Sequence, residues 1–173
     1  MTITTRAGIP ALLLALLACS GAAQAQLPAP NALGISTGHT HLSVPDMARH
    51  RDIWIALGAQ EKFSGTRSVL GFPGMFILLS EREPTGPSGV TSANHIAFSV
   101  NDYADYKARL DAIGVTYVLD NEANGQILAD LPDGVRVEFL VLPDQMEPIQ
   151  FHHTHLAAND QEALRDWYVA TFG

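Results

Sequence analysis

The sequence has little cysteine, few positive charges and no long apolar run, and each shortage excludes a class of protein. Cys19 is the single cysteine among 173 residues, so a disulfide framework and a thiolate metal cluster are both excluded. Any metal ion must therefore be held by histidine and carboxylate side chains. Lysine and arginine number 10 against 18 acidic residues, which leaves no basic surface excess for a nucleic-acid partner.

The longest apolar run lies near the N-terminus and is too short to span a membrane. It covers residues 9–19, whereas a transmembrane helix needs about 20 apolar residues. Arg6 precedes this run and the AQA sequence at residues 23–25 follows it, which is the pattern of a secretory signal. We therefore predict a signal peptide at residues 1–25 and an exported, periplasmic or secreted protein. The LLAC segment that ends at Cys19 leaves a lipid-anchored lipoprotein as the alternative.

The chain carries an internal repeat at a constant offset of 114 residues. Residues 39–59 (HTHLSVPDMARHRDIWIALGA) align with residues 153–173 (HTHLAANDQEALRDWYVATFG), and eight of the 21 positions are identical. A weaker copy occupies residues 94–114 between them. In each copy an aspartate follows a histidine by seven positions, as Asp46 follows His39. Such self-similarity indicates a chain built from repeated structural modules.

Each copy has the pattern of a strand followed by a helix. Alternate residues from His39 to Val44 share a face, which is the period of a β-strand. Asp46 stands where a helix N-cap is expected, and Gly58 where the helix should end. Further strands are predicted at residues 60–64, 66–72 and 75–80 and, after the second helix, at 115–119, 126–130 and 135–142. The prediction is an α+β protein with two βαβββ modules.

Changes in composition mark the boundaries of these modules. The predicted segments are a linker at 26–33, modules at 34–83 and 93–143, a polar linker at 144–150 and the start of a third, truncated module at 151–173. The third copy stops where its helix would end, and no strands follow it. We expect the chain to be a fragment of a longer protein. A frayed tail or a module completed by a partner is the alternative.

Superposing the two modules brings together three candidate metal ligands. His39 and His95 take the same place on the first strand of each module, and Glu138 lies on the last strand, opposite Leu78. If the modules pair about a pseudo-twofold axis around a common cleft, these positions converge. Two histidines and one carboxylate with open coordination positions suit a divalent first-row metal. His41 shares the strand face of His39, which makes it a substitute ligand or a proton carrier.

The other histidines and the helical aromatic residues have a structural interpretation. His50 and His152 have no histidine at the matching position of another module, so we expect both on the surface. Trp54, Tyr106 and Trp167 lie on predicted helices, where such side chains are more typical of a core than of a cofactor contact. A histidine on a strand is usually a surface or hydrogen-bonded residue. The metal-site hypothesis therefore depends on the recurrence of histidine at matched places.

The histidine-to-aspartate spacing and the Pro132-Asp133-Gly134 turn before VRVEF resemble the vicinal oxygen chelate superfamily. This superfamily includes glyoxalase I, bleomycin-resistance proteins, fosfomycin-modifying enzymes, methylmalonyl-CoA epimerase and extradiol dioxygenases. The resemblance covers residues 34–143, and it implies paired modules in a curved, incompletely closed barrel-like sheet around a cleft, with the helices outside. It also implies metal binding by the three ligands named above. Leu78 replaces the fourth ligand of glyoxalase I, which disfavours that activity.

The resemblance implies an exported, metal-dependent lyase or dioxygenase that chelates two neighbouring oxygens of a small, oxygen-rich molecule. His41 would move a proton, and a three-ligand set favours Fe(II) or Mn(II), with Zn(II) or Ni(II) also suitable. The alternative is a metal-free small-molecule binding protein similar to the bleomycin-resistance proteins. A third interpretation places the working site in a further domain, where His153 repeats His39. The expected partners are a small-molecule substrate and a second copy of the chain.

Overall fold

The computed structural model describes residues 26–64 and 67–173, and the predicted signal peptide lies outside this range. Within it, strands and helices follow the predicted order. The elements are β1 (His39–Val44), α1 (Met47–Ala56), β2 (Gln60–Ser64), β3 (Arg67–Phe72), β4 (Met75–Glu81), β5 (Ala93–Val100), α2 (Tyr103–Ile113), β6 (Thr116–Asn121), β7 (Gln126–Asp130), β8 (Arg136–Val141), β9 (Ile149–Leu156) and α3 (Gln161–Phe172). None of the described helices is both long and apolar enough to cross a membrane.

Local sequence explains where the helices begin and end. The carboxylates of Asp46, Asp102 and Asp160 each accept a hydrogen bond from the backbone N–H three residues further on, at 2.9–3.0 Å. These contacts satisfy amide groups that have no partner inside the helix. Gly114 ends α2 with a φ of 78°, a left-handed conformation that favours glycine. The predicted N-caps of the first two helices are confirmed.

The two modules form separate sheets. The first sheet has the strand order β1-β4-β3-β2 and the second has the order β6-β7-β8-β5-β9. In both modules the first strand pairs in parallel with the last strand, β1 with β4 and β5 with β8. The predicted α+β class is confirmed, and the described strands do not close into a barrel.

The strand of the third copy, β9, belongs to the second sheet. It pairs antiparallel with β5, opposite the side taken by β8, and it begins at Ile149, two residues before the predicted start of this copy. β1 is the counterpart of β5 in the first sheet, since both pair in parallel with the last strand of their module. Among the described strands β1 pairs only with β4, so its other edge has no strand partner.

An aromatic cluster joins the two modules in one hydrophobic core. Trp54 on α1 is fully buried, and its ring centroid lies 6.0 Å from that of Phe72 and 6.1 Å from that of Phe98 on β5. Tyr106 on α2 is also buried, and its hydroxyl donates to the Leu57 carbonyl over 3.4 Å. The predicted core positions of Trp54 and Tyr106 are confirmed. Packing of both helices against one cluster fixes the modules relative to each other.

The prediction that Trp167 belongs to the core is wrong. Trp167 is 55% exposed, and its helix α3 contains no buried residue. Its ring instead contacts those of Tyr168 and Phe172 on the same helix. The physical reason is that β3 and β4 lie against α1, whereas no three-stranded sheet in the described part of the chain covers α3.

The prediction that His50 lies on the surface is also wrong. His50 on α1 is fully buried, and its Nε2 lies 2.8 Å from Oδ2 of Asp133. Asp133 has a φ of 61° and belongs to the turn that leads into β8. A buried ring needs a polar partner, and here the partner is 83 residues away, so no local pattern indicated it. The pair ties the helix of the first module to the second module.

We expect Asp133→Ala to lower the free energy of unfolding by about 1–3 kcal/mol, because it leaves a buried imidazole nitrogen of His50 without its partner. Urea denaturation followed by circular dichroism measures this loss. Asp133→Asn is the matched control, since asparagine keeps an acceptor oxygen and tolerates a left-handed backbone. If both variants lost the same free energy of unfolding, the contact between Asp133 and His50 would contribute nothing to stability.

Candidate metal centre

Three histidines and one glutamate meet on one face of the second sheet. His95 lies on β5, Glu138 on β8, and His153 and His155 on β9. The strand register places His155 opposite His95, and it places Ala97 between Glu138 and His153. Alternate residues of a strand share a face, so the side chains beside His95 and Ala97 gather on the same side.

The donor atoms of these residues lie within reach of one ion. One nitrogen from each of His95, His153 and His155 lies within 4.8 Å of the others. Oε2 of Glu138 lies 3.3 Å from Nε2 of His95 and 3.5 Å from Nε2 of His153. Two ligands that share an ion through bonds of about 2.0–2.2 Å lie roughly 3.0–3.5 Å apart. The spacing around the carboxylate is therefore that of a coordination shell.

The hydrogen bonds of His95 determine which of its nitrogens carries the proton. Its Nδ1 lies 2.9 Å from Oδ1 of Asn94, whose amide nitrogen donates to the Gly89 carbonyl over 2.6 Å. Since Oδ1 can only accept, Nδ1 of His95 is the donor. Nε2 therefore carries a lone pair, and it is buried without a hydrogen-bond partner.

This lone pair faces the carboxylate of Glu138, and both groups are more than nine-tenths buried. Two acceptors 3.3 Å apart repel each other unless a cation lies between them. The donor set of three imidazoles and one carboxylate also suits divalent first-row metals. The residues therefore fit the metal ion that the sequence predicted.

Burial lowers the pKa of both His95 and His153. In each case the loss of hydration is the largest cause, and the negative charge of Glu138 opposes it. Neighbouring imidazoles add a smaller lowering effect. Both rings are therefore neutral at neutral pH, which is the state in which imidazole binds a metal.

Gln126 on β7 orients the carboxylate of Glu138. Its side-chain nitrogen donates to Oε1 of Glu138 over 2.6 Å, which leaves Oε2 directed at the histidines. Metal ligands are commonly held in this way by outer hydrogen bonds. Sequence reasoning missed Gln126, since a glutamine at the start of a strand carries no distinguishing signal.

The structure brings together two of the three predicted ligands, His95 and Glu138. His39 lies exposed on β1 in the other sheet and is not among the three clustered histidines. Its ring contacts that of His41, with the centroids 4.8 Å apart. The ligand role of His39 and the proton-transfer role of His41 stay predictions.

His153 and His155 occupy the places beside β5 that pairing of the two modules predicts for His39 and His41. They are the counterparts of those residues at the offset of 114. The HTHL sequence shared by the two copies could have indicated His153 and His155 as ligands. It did not show which of the two copies lies beside β5. His155 also stacks on His95, with ring centroids 4.6 Å apart.

A cavity of about 440 Å³ lies between β1 and the β5-β9 pair. His41, His95 and Thr154 border it from three different strands. Arg82, Arg136, Glu83 and Asp133 also line it, so residues of both charge signs border the cavity. Arg136 is paired with a carboxylate, whereas Arg82 donates to a serine hydroxyl. The space is large enough for a small molecule.

No family model matches the sequence, and no curated protein does. A solved structure of a glyoxalase I mutant from Zea mays matches with a TM-score of 0.57. The chain has the vicinal oxygen chelate fold. The sequences are 16% identical over the match, which covers 75% of this chain and 53% of the maize chain, so the likeness concerns the fold alone.

Smaller structures also match parts of this fold. The fosfomycin resistance protein FosX from Listeria monocytogenes has a TM-score of 0.49 and 21% identity, with 60% of this chain and 88% of that chain covered. The oxidase ChaP-H2 has a TM-score of 0.47 and 23% identity, with 63% of this chain and 94% of that chain covered.

Proposed function

We propose that this chain is a metal-dependent lyase or dioxygenase that binds a small, oxygen-rich molecule through two neighbouring oxygens. The observation that carries this proposal is the buried Nε2 of His95, which has no hydrogen-bond partner and lies 3.3 Å from Oε2 of Glu138. The signal-peptide pattern of residues 1–25 supports action outside the cytoplasm.

His95, His153 and Glu138 would hold the ion, and His155 would be a further ligand or would lie beside an open position. A bound divalent ion would supply Lewis acidity, which stabilises negative charge as it develops on substrate oxygens. Fe(II) and Mn(II) suit oxygen substrates, and three imidazoles also suit Zn(II) and Ni(II).

The protein itself would orient the ligands and carry protons. Gln126 holds the carboxylate of Glu138, and Asn94 fixes the tautomer of His95. His41 borders the cavity and is exposed, so it can exchange a proton between the cavity and solvent.

The test is whether metal and substrate binding depend on each other. The purified chain is loaded in turn with Fe(II), Mn(II), Zn(II) or Ni(II) and its metal content is measured. We expect about one ion per chain, the number that a single cluster can hold. The loaded chain is then titrated with 4-nitrocatechol, a probe with two neighbouring oxygens whose absorbance changes on chelation. We expect this change to disappear after treatment with a chelator.

The cavity itself favours a second candidate function, a metal-free small-molecule binding protein. Its 440 Å³ lies beside the histidines but does not require them to hold an ion. Equal affinity for 4-nitrocatechol before and after metal removal would support this candidate and contradict the metal-dependent one.

A further inference from the structure

We infer that Asp133 is a ligand-binding residue of the 440 Å³ cavity and that His50 is the buried residue that holds its carboxylate in place. The free oxygen of this carboxylate would accept a hydrogen bond from a hydroxyl group of the bound molecule. The cavity would then select molecules that carry one hydroxyl group besides their two chelating oxygens. The inference rests on the proposed function only for the presence of a small molecule in the cavity.

The first argument is the position of the carboxylate. Asp133 lines the cavity together with His41 and His95. Its Oδ2 lies 2.8 Å from Nε2 of His50, which is fully buried, so this oxygen points into the protein. The Asp133 side chain is still 24% exposed, and no described residue donates to its other oxygen, Oδ1. Oδ1 is therefore a free acceptor at the cavity wall.

The second argument is the cost of burying His50. A carboxylate only accepts hydrogen bonds, so Nε2 of His50 is the donor and Nδ1 carries the lone pair. Nδ1 is buried, and it has no hydrogen-bond partner among the described residues. An apolar side chain at this place on α1 would leave no buried polar atom unpartnered. The presence of a histidine is explained if it holds the carboxylate of Asp133.

The third argument is that the fold does not need this pair. When the glycines of the two corresponding turns are aligned, the first module has Pro73 in place of Asp133. Tyr106 takes the place of His50 on α2, and its hydroxyl donates to a backbone carbonyl instead. A module of this fold therefore forms its helix and its turn without a histidine–carboxylate pair.

The turn that carries Asp133 is held by contacts from the segment before β5. Asp133 has a φ of 61°, a left-handed conformation that is uncommon for a residue other than glycine. Oγ of Ser88 donates to the Gly134 carbonyl and accepts from the N–H of Arg136, both over 2.9 Å. Pro87 packs so closely on Gly134 that an added Cβ would lie 2.7 Å from it. A carboxylate fixed in this way loses little freedom when a ligand binds.

The other charged residues of the cavity leave this carboxylate available. Arg136 is paired with Asp130, and Arg82 donates to a serine hydroxyl. Among the described residues, only His50 forms a hydrogen bond or an ion pair with the Asp133 side chain. The two arginines that line the cavity balance Asp133 and Glu83 in charge. This balance favours a neutral hydroxyl over an ammonium group as the donor.

Two probes that differ at one oxygen test the inference. Pyrogallol and 3-methoxycatechol share two neighbouring hydroxyl groups, which a metal chelates alike, whereas the third oxygen can donate a hydrogen bond only in pyrogallol. Both are titrated without oxygen into the Zn(II)-loaded and the metal-free chain, and calorimetry measures the affinities. We expect pyrogallol to bind about 10- to 100-fold more tightly, the range of a hydrogen bond to a charged group.

Asp133→Asn is the main variant. Because Nε2 of His50 donates, the amide oxygen will face His50, and the amide nitrogen, a donor, will replace Oδ1. We expect the ratio of the two affinities to fall about tenfold or more relative to the parent chain. Glu83→Gln removes the same charge from the same cavity and should leave the ratio unchanged.

Two variants of His50 test its role in positioning the carboxylate. His50→Phe should lower the ratio of the two affinities, because it removes the donor that holds Oδ2 of Asp133. His50→Gln keeps a side-chain donor and should restore part of the ratio. Circular dichroism confirms that each variant is folded.

The inference and the proposed function fail in different ways. A ratio near 1 in the parent chain, or a ratio that Asp133→Asn leaves unchanged, would overturn the inference even if both affinities depend on the metal. A ratio that responds to Asp133 while neither affinity depends on the metal would support the inference and contradict the metal-dependent function. Binding of neither probe to either form of the chain would contradict both.

Discussion

Glu138→Gln is expected to weaken Zn(II) binding by more than about 100-fold, beyond the loss typical of an altered outer hydrogen bond. The change removes the negative charge that lies 3.3 Å from His95 and 3.5 Å from His153. The new amide can also donate to the lone pair of His95, which then needs no cation. Competition with a fluorescent chelator measures the affinity, and circular dichroism confirms that the variant is folded.

Two alanine variants show which histidine completes the site in solution. His153→Ala should weaken binding strongly, and His39→Ala should leave it nearly unchanged, because the clustered nitrogens belong to β9 and not to β1. A larger loss from His39→Ala would mean that β1 is the strand beside β5 in solution. Undiminished affinity in Glu138→Gln would contradict the metal centre as a whole.

Trp54→Ala is expected to lower the free energy of unfolding by about 3–5 kcal/mol. The side chain is fully buried, and it contacts aromatic rings from both modules. Its removal leaves a cavity where the two modules meet, which close-packed neighbours cannot fill completely. Chemical denaturation of the purified chain measures the loss.

The internal repeat supplies a matched control for this prediction. Tyr168 is the counterpart of Trp54 at the offset of 114, yet it is 41% exposed. Tyr168→Ala should therefore change stability by no more than about 0.5 kcal/mol. Similar losses in both variants would mean that the apolar face of α3 is covered in solution.

The sequence by itself determined the elements and their order. The aspartate caps, the glycine that ends α2 and the alternation along the strands act over a few residues, so they can be read locally. The same reading placed His95 and Glu138 correctly beside each other, because the first and last strands of a module pair directly. The module pattern was therefore sufficient to predict two of the four clustered residues, His95 and Glu138.

Tertiary structure decided which strand completes that site. β1 and β9 share the HTHL sequence, so their local preferences are the same, and the outcome depends on how Ile149 and Phe151 pack at the edge of β5. Tertiary contacts also buried His50 against Asp133 and left Trp167 exposed. Each of these results depends on the presence or absence of a partner far away in the chain. The free energy of such a long-range contact cannot be inferred from the sequence around either residue.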